Sequence, residues 1–218
     1  MNFSEVFEFL SELQQNNNKE WMDANRKWYQ RTRNTFIQWL DELDSILATI
    51  DSDYYPTSGK KGINRINNNL LFHPNRPVYK DHFAAGLDQR SKQGDFYIQI
   101  GINECELAGG YWKPNANELN SIREAIDYNG DELQKIVQKK SFQNTFGGLY
   151  KANDKLTKAP KGYTTDHPYI DLLRYKTIAV IHPLTKEDVL QKDFNDRVIT
   201  VYREMLPFRR YLNEAVTV

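Results

Sequence analysis

Near the start of the chain, apolar residues recur at three- and four-residue steps. Val6, Phe7, Leu10 and Leu13 share one side of a helix that begins at Ser4, with Phe3 ahead of its cap. The polar run QQNNN ends it. Asn17 and Glu20 then give the start signal of a second, long helix. Along it Trp21, Trp28, Thr32, Phe36, Trp39, Leu43, Ile46 and Ile50 form a single stripe. Core packing explains that stripe more simply than an aromatic ligand box does.

After the Pro-, Gly- and Ser-rich loop DSDYYPTSGKKG (51–62) the period shortens to two. Strands are predicted at 63–72, 78–87, 95–102 and 105–112. The clearest is DFYIQIGI, where Phe96, Ile98 and Ile100 alternate with Tyr97 and Gln99. Helical spacing returns at 116–128, carried by Leu119, Ile122 and Ile126 with Gly130 as a stop, and again at 131–140. RYKTIAVIHP (174–183) reads as one more buried strand, and Thr185 with Asp188 caps a short helical turn. A last helix spans about 193–214, with Pro207 expected to bend or break it. Strands in the middle with helices at both ends predict an α+β fold. The sheet is mostly antiparallel, packed by the N-terminal and C-terminal helices, within a single domain covering 1–218.

Composition narrows the class. A hydrophobic fraction of 39%, with 13% aromatics, supplies a core, and no apolar run approaches the ~20 residues of a membrane helix. The start MNFSEVFEFLSEL lacks the basic and apolar regions of a signal peptide. A lone Cys105 fits a reducing compartment. A soluble, cytoplasmic protein without a membrane partner is expected.

The net charge of zero conceals alternation along the chain. Segments 53–92 and 135–176 carry excesses of four and six positive charges, while 1–52 and 93–134 carry excesses of four and six negative ones. Two basic segments could converge on one anionic ligand, or oppositely charged elements could simply pack side by side. A pI near 6.9 argues against a protein that coats DNA or RNA.

Phosphate-loop, dinucleotide, zincin and nucleophile-elbow patterns are all missing, and no cofactor or metal site is implied. His73, His167 and His182 each precede a proline, which favours extended or turn backbone and surface or capping roles. Cys105 reads as buried and inert, and the pair Glu104/Glu106 as a solvated strand face. Three dense polar stretches remain. They are RINNNLLFHPNRPVYKDHF (65–83), LAGGYWKP (107–114) and APKGYTTDHPYIDLLRYK (159–176).

Together with NNNKEWMDANRKWY near the start and SFQNTFGG (141–148), these stretches resemble the bacterial and fungal family known as domain of unknown function 2461. The likeness runs through nearly the whole chain in order, PKGY…DHP…LLRYK being its most specific part. It implies a single domain and no particular activity. The family pattern R-x-x-R-D-x-R-F, then K-x-P-Y-K, matches at Arg65, Phe72, Tyr79 and Lys80. Asn68, Asn69 and Leu71 stand where Arg, Asp and Arg are usual. Two readings follow. Lost charges alter binding or remove a catalytic capacity, or a structural Arg–Asp pair has been exchanged for neutral amides.

The leading expectation is a domain that binds, and could turn over, a small anionic or polar molecule in a basic, aromatic cleft. Its candidate residues are Arg65, Asn69, Tyr79, Lys80, His82, Trp112, Lys161, His167, Arg174 and Lys176, with no catalytic residue singled out. Arg and Lys would grip the anion, Trp112 would form a flat wall, and His82 or His167 would move protons. The alternative is a non-catalytic module docking an acidic protein or a nucleic-acid end. Strands 63–72 and 78–87 are expected to pair through the HPNRP turn. Ile66, Leu70 and Phe72 would then pack on helices, while Arg65, Asn67 and Asn69 line a cleft shared with residues 159–176. Arg65 is expected to be largely buried.

Overall fold

The computed structural model describes residues 3–91, 93–151, 153 and 155–217, without the side chain of 217. It is an α+β structure built on a four-stranded antiparallel sheet, in the order β1 (His82–Leu87), β2 (Phe96–Gly101), β3 (Cys105–Tyr111), β4 (Ile178–Leu184). In the β1–β2 ladder His82 faces Gly101 and Leu87 faces Phe96. The chain divides into two compact units. One comprises the described residues of Met1–Gln89, Phe96–Leu107 and Pro183–Ile199; the other comprises those of Arg90–Asp95, Ala108–His182 and Thr200–Val218.

The first unit holds α1 (Phe3–Gln15), α2 (Lys19–Ala24), α3 (Arg26–Ile50) and α4 (Gly59–Gly62), together with β1, β2 and α8 (Lys186–Leu190). The predicted second helix starts one residue later than expected. Asn18, not Asn17, is the cap, and its side chain accepts from the Trp21 amide. Asn17 is used elsewhere, accepting from the Tyr79 amide at 2.8 Å and donating to its carbonyl at 2.9 Å. The long helix is also interrupted at Asn25, so Trp21 and Trp28 lie on different helices. Phe83 of β1 is the hub of the core, stacked on Phe9, Tyr29 and Phe36 at 5.6–6.3 Å. A second cluster joins Phe3, Trp39 and Phe194, with the Trp39 indole donating to Asn195 at 2.8 Å. Such aromatic pairs add about 0.5–1.5 kcal/mol each beyond the area they bury.

The second unit holds α5 (Ala116–Gln138), α6 (Lys140–Phe146) and α7 (Ile170–Leu173). Asn115 and Glu118 form a reciprocal capping box at the start of α5. The two helices predicted over 116–140 meet in α5 across a kink at Asn129, whose backbone is non-helical (φ −138°, ψ 39°). Gly130 follows this kink directly. Its missing side chain leaves room for the Tyr169 ring, which an added Cβ would meet at 2.5 Å. Gly110, at φ +103°, likewise lets β3 approach Ile178 and Ala179 of β4. α9 (Phe194–Thr217) runs on through Pro207 instead of breaking there. Phe142 of α6 packs on Phe208 of α9 at 5.8 Å.

The segment 63–72 departs furthest from expectation. Only isolated antiparallel bridges form, Ile63 with Ala85 and Asn67 with Tyr79. Their sums of residue numbers differ by two, so the ladder shifts register between them. Ile66 is buried, but the chain turns after Asn69, leaving Leu71 85% and Phe72 72% exposed. The expected packing of Leu70 and Phe72 on helices therefore fails.

Candidate functional site

In the first unit, five of the candidate residues sit on the two arms that flank this turn. Arg65 is exposed, contrary to expectation, because no regular strand carries it inward. Asn69 is also exposed, and its carbonyl closes the turn by accepting from the His73 amide at 3.0 Å. Tyr79 is 5% exposed, held by the side chain of Asn17. The Lys80 ammonium donates to the Arg65 carbonyl at 2.9 Å. Burial lowers its pKa, and Arg65 and Arg76 push the same way. Three cations are thus gathered on one loop, and none of them forms an ion pair among the described residues.

His82 directs Nδ1 at Asp81 at 3.2 Å, and Asp81 also accepts from Gln14 and Asn103. Burial holds the His82 pKa below its ordinary value even though the Asp81 hydrogen bond and charge raise it, so the ring is neutral at pH 7. Cys105 is buried as expected, its thiol donating to the Gly101 carbonyl at 3.2 Å and pushed up by burial.

In the second unit a concave site is present. An open cleft of about 380 Å³ is lined by Asn120, Arg123, Glu124 and Asp127 of α5 and by Lys161, Gly162 and Tyr163. The helix residues recur at three- and four-residue steps, on the side of α5 away from the buried Ile122 and Ile126. Gly162 adopts φ +94°, a turn conformation that few side chains tolerate, and so brings Lys161 and Tyr163 to the rim together. The Arg123 guanidinium is fixed by donating to the carbonyls of Leu173 (3.1 Å) and Tyr175 (3.5 Å). Burial lowers its pKa, though Arg remains cationic. The Tyr163 phenol is pushed up by burial and by Asp127 and Glu124, so it stays a hydrogen-bond donor.

His167 stands beside this cleft with both ring nitrogens engaged. Nδ1 accepts from the Tyr169 amide at 3.1 Å, so Nε2 carries the proton and donates to Asp127 at 2.9 Å. That leaves it no nitrogen for proton transfer to a ligand; it orients Asp127 and the loop. Arg174 pairs with Asp171 at 3.3 Å, while its Nε is buried with no hydrogen-bond partner among the described residues. Trp112 is 56% exposed and tilted against Tyr150 at 4.9 Å. Lys176 is exposed. Of the ten candidates, only Lys161 lines the cleft. Asn120, Arg123, Glu124, Asp127 and Tyr163 were missed, although the polar stripe on α5 was a readable signal.

A profile of the family described as "Conserved hypothetical protein (DUF2461)" matches residues 5–211. The chain belongs to this family. Membership covers both units and both polar sites, and the family's description assigns it no activity. No match was found among the curated proteins or among the solved structures. No helix among the described residues is long and apolar enough to cross a membrane.

Proposed function

We infer that this member of the family is a cytoplasmic binding domain for a small molecule that carries a carboxylate or phosphate together with a hydrogen-bond donor. The observation that carries this reading is the composition of the cleft between α5 and the PKGY loop. Arg123 of α5 and Lys161 and the Tyr163 hydroxyl of the loop supply donors, and Glu124 of α5 supplies an acceptor. Arg123 is already held in place by two backbone carbonyls, so little ordering is required when an anion docks. Lys161 has no ion-pair partner among the described residues and is open to a ligand anion.

The test is a thermal-shift screen of carboxylated and phosphorylated metabolites. A ligand at 100 times its Kd stabilises by about 2.7 kcal/mol. Lys161→Ala and Tyr163→Phe should each abolish the shift, and Lys176→Ala should keep it. A panel without a single shift, or a shift indifferent to Lys161, would overturn the reading in favour of an interaction module for an acidic protein or nucleic-acid end.

A further inference from the structure

We propose that the loop 65–80 of the first unit is a docking surface for an anionic lipid bilayer, with Leu70, Leu71 and Phe72 entering the headgroup region. The geometry is that of an apolar tip on a basic stem. The two arms are tied together by Lys80 N–H to the Ile66 carbonyl (2.8 Å), Asn68 N–H to Val78 (3.0 Å) and the Asn68 side chain to Pro77 (2.9 Å). Between them, turns closed at Asn69–His73 and His73–Arg76 carry the apolar triplet outward. Leu70, Leu71 and Phe72 are 36%, 85% and 72% exposed, a contiguous apolar run that no element covers. Arg76 lies in the tip itself, and Arg65 and Lys80 lie at its base.

Two considerations select the occupant. The first is charge. Residues 65–80 contain three cations and no acid, a local positive excess that an anionic surface would offset. The second is area. Three partly exposed side chains offer at most a few hundred Å² of apolar surface, short of the roughly 800 Å² per partner that a stable protein interface buries. A bilayer needs no complementary surface, only a few apolar residues at the acyl boundary with cations at headgroup depth. The contact is peripheral and calls for no spanning helix, but it departs from the sequence expectation of no membrane partner. It does not rest on the cleft of the second unit.

The experiment is co-sedimentation of the full chain with vesicles of phosphatidylcholine alone and of phosphatidylcholine mixed with phosphatidylserine. Binding is expected to the mixed vesicles only and to fade as salt rises. Leu71→Asp combined with Phe72→Asp should weaken it by about tenfold or more, and Arg76→Gln by about fivefold. All these positions are exposed, so the variants should melt with the parent. Three outcomes would overturn the proposal. They are no partition onto the anionic vesicles, equal binding by the double aspartate variant, or a dimer in solution that the aspartates dissociate, which would make the tip an interface between copies. Retained metabolite binding by the same variants would keep the cleft's function distinct from the loop's.

Discussion

His167 and His82 each face a carboxylate, yet their chemical prospects differ because of one backbone amide. The Tyr169 N–H occupies His167 Nδ1, whereas the His82 ring is bonded through Nδ1 to Asp81. The phenols of Tyr111 and Tyr211 show how burial can dominate a residue's behaviour. Burial is the main cause that pushes both to about 12; Glu132 and Asp131 add to it at Tyr211, while at Tyr111 the Gly94 backbone hydrogen bond opposes it. In the unfolded chain a phenol titrates near 10. Between about pH 10 and 12 the unfolded state has therefore lost protons that the folded state retains, and stability falls as pH rises. Each phenol withdraws roughly 2 to 3 kcal/mol across that window and contributes fully below it. Tyr111→Phe and Tyr211→Phe should each make the alkaline decline of the melting temperature shallower. An unchanged slope in both would show that other groups control it.

At the scale of elements, caps and turns decide what periodicity leaves open. Helical stripes were readable from the sequence because their apolar spacing serves the core directly, as with Leu10 and Leu13 in α1. The capping box at Thr185 and Asp188 was readable for the same local reason. The 63–72 strand was misread. Alternation cannot reveal that the ladder changes register, or that two prolines and an asparagine lift the preceding triplet away from the core. The cleft was half legible. Lys161 announced itself in a dense loop motif, while Arg123 and Glu124 belong to a polar stripe on α5 whose spacing is visible in the sequence but which carries no motif. Asn115 ties the two matters together, since it starts the helix that supplies the cleft wall. Its side chain accepts from the Asn117 and Glu118 amides, and Glu118 returns a bond to the Asn115 amide. Asn115→Ala should cost about 1 kcal/mol. Asn115→Asp should cost little, because a carboxylate accepts the same bonds and favours the helix N-terminus. Denaturant titration of the two variants checks the contrast; an alanine variant as stable as the parent would show that the cap contributes nothing.

For the whole molecule, the path of the chain bears on how it unfolds. Each unit is assembled from segments far apart in sequence, and β3, β4 and α9 each begin in one unit and end in the other. A strand or helix is hydrogen-bonded continuously along its length, so melting one unit removes part of an element that the other needs. Nucleating a replacement end within a shortened helix is itself unfavourable. We therefore expect the single domain anticipated from the sequence to behave as one cooperative system despite its two compact units. Tryptophan placement gives the test. Trp21, Trp28 and Trp39 report on the first unit and Trp112 on the second. In a Trp112→Phe variant fluorescence follows the first unit alone, and with the other three replaced by Phe it follows the second. Trp39 is buried and donates to Asn195, so the second variant will be less stable; its comparison is between its own fluorescence and its own circular dichroism. Coincident midpoints for fluorescence and circular dichroism within each variant are the expected result. A fluorescence transition that separates from the loss of helix in either variant would show two domains that unfold independently.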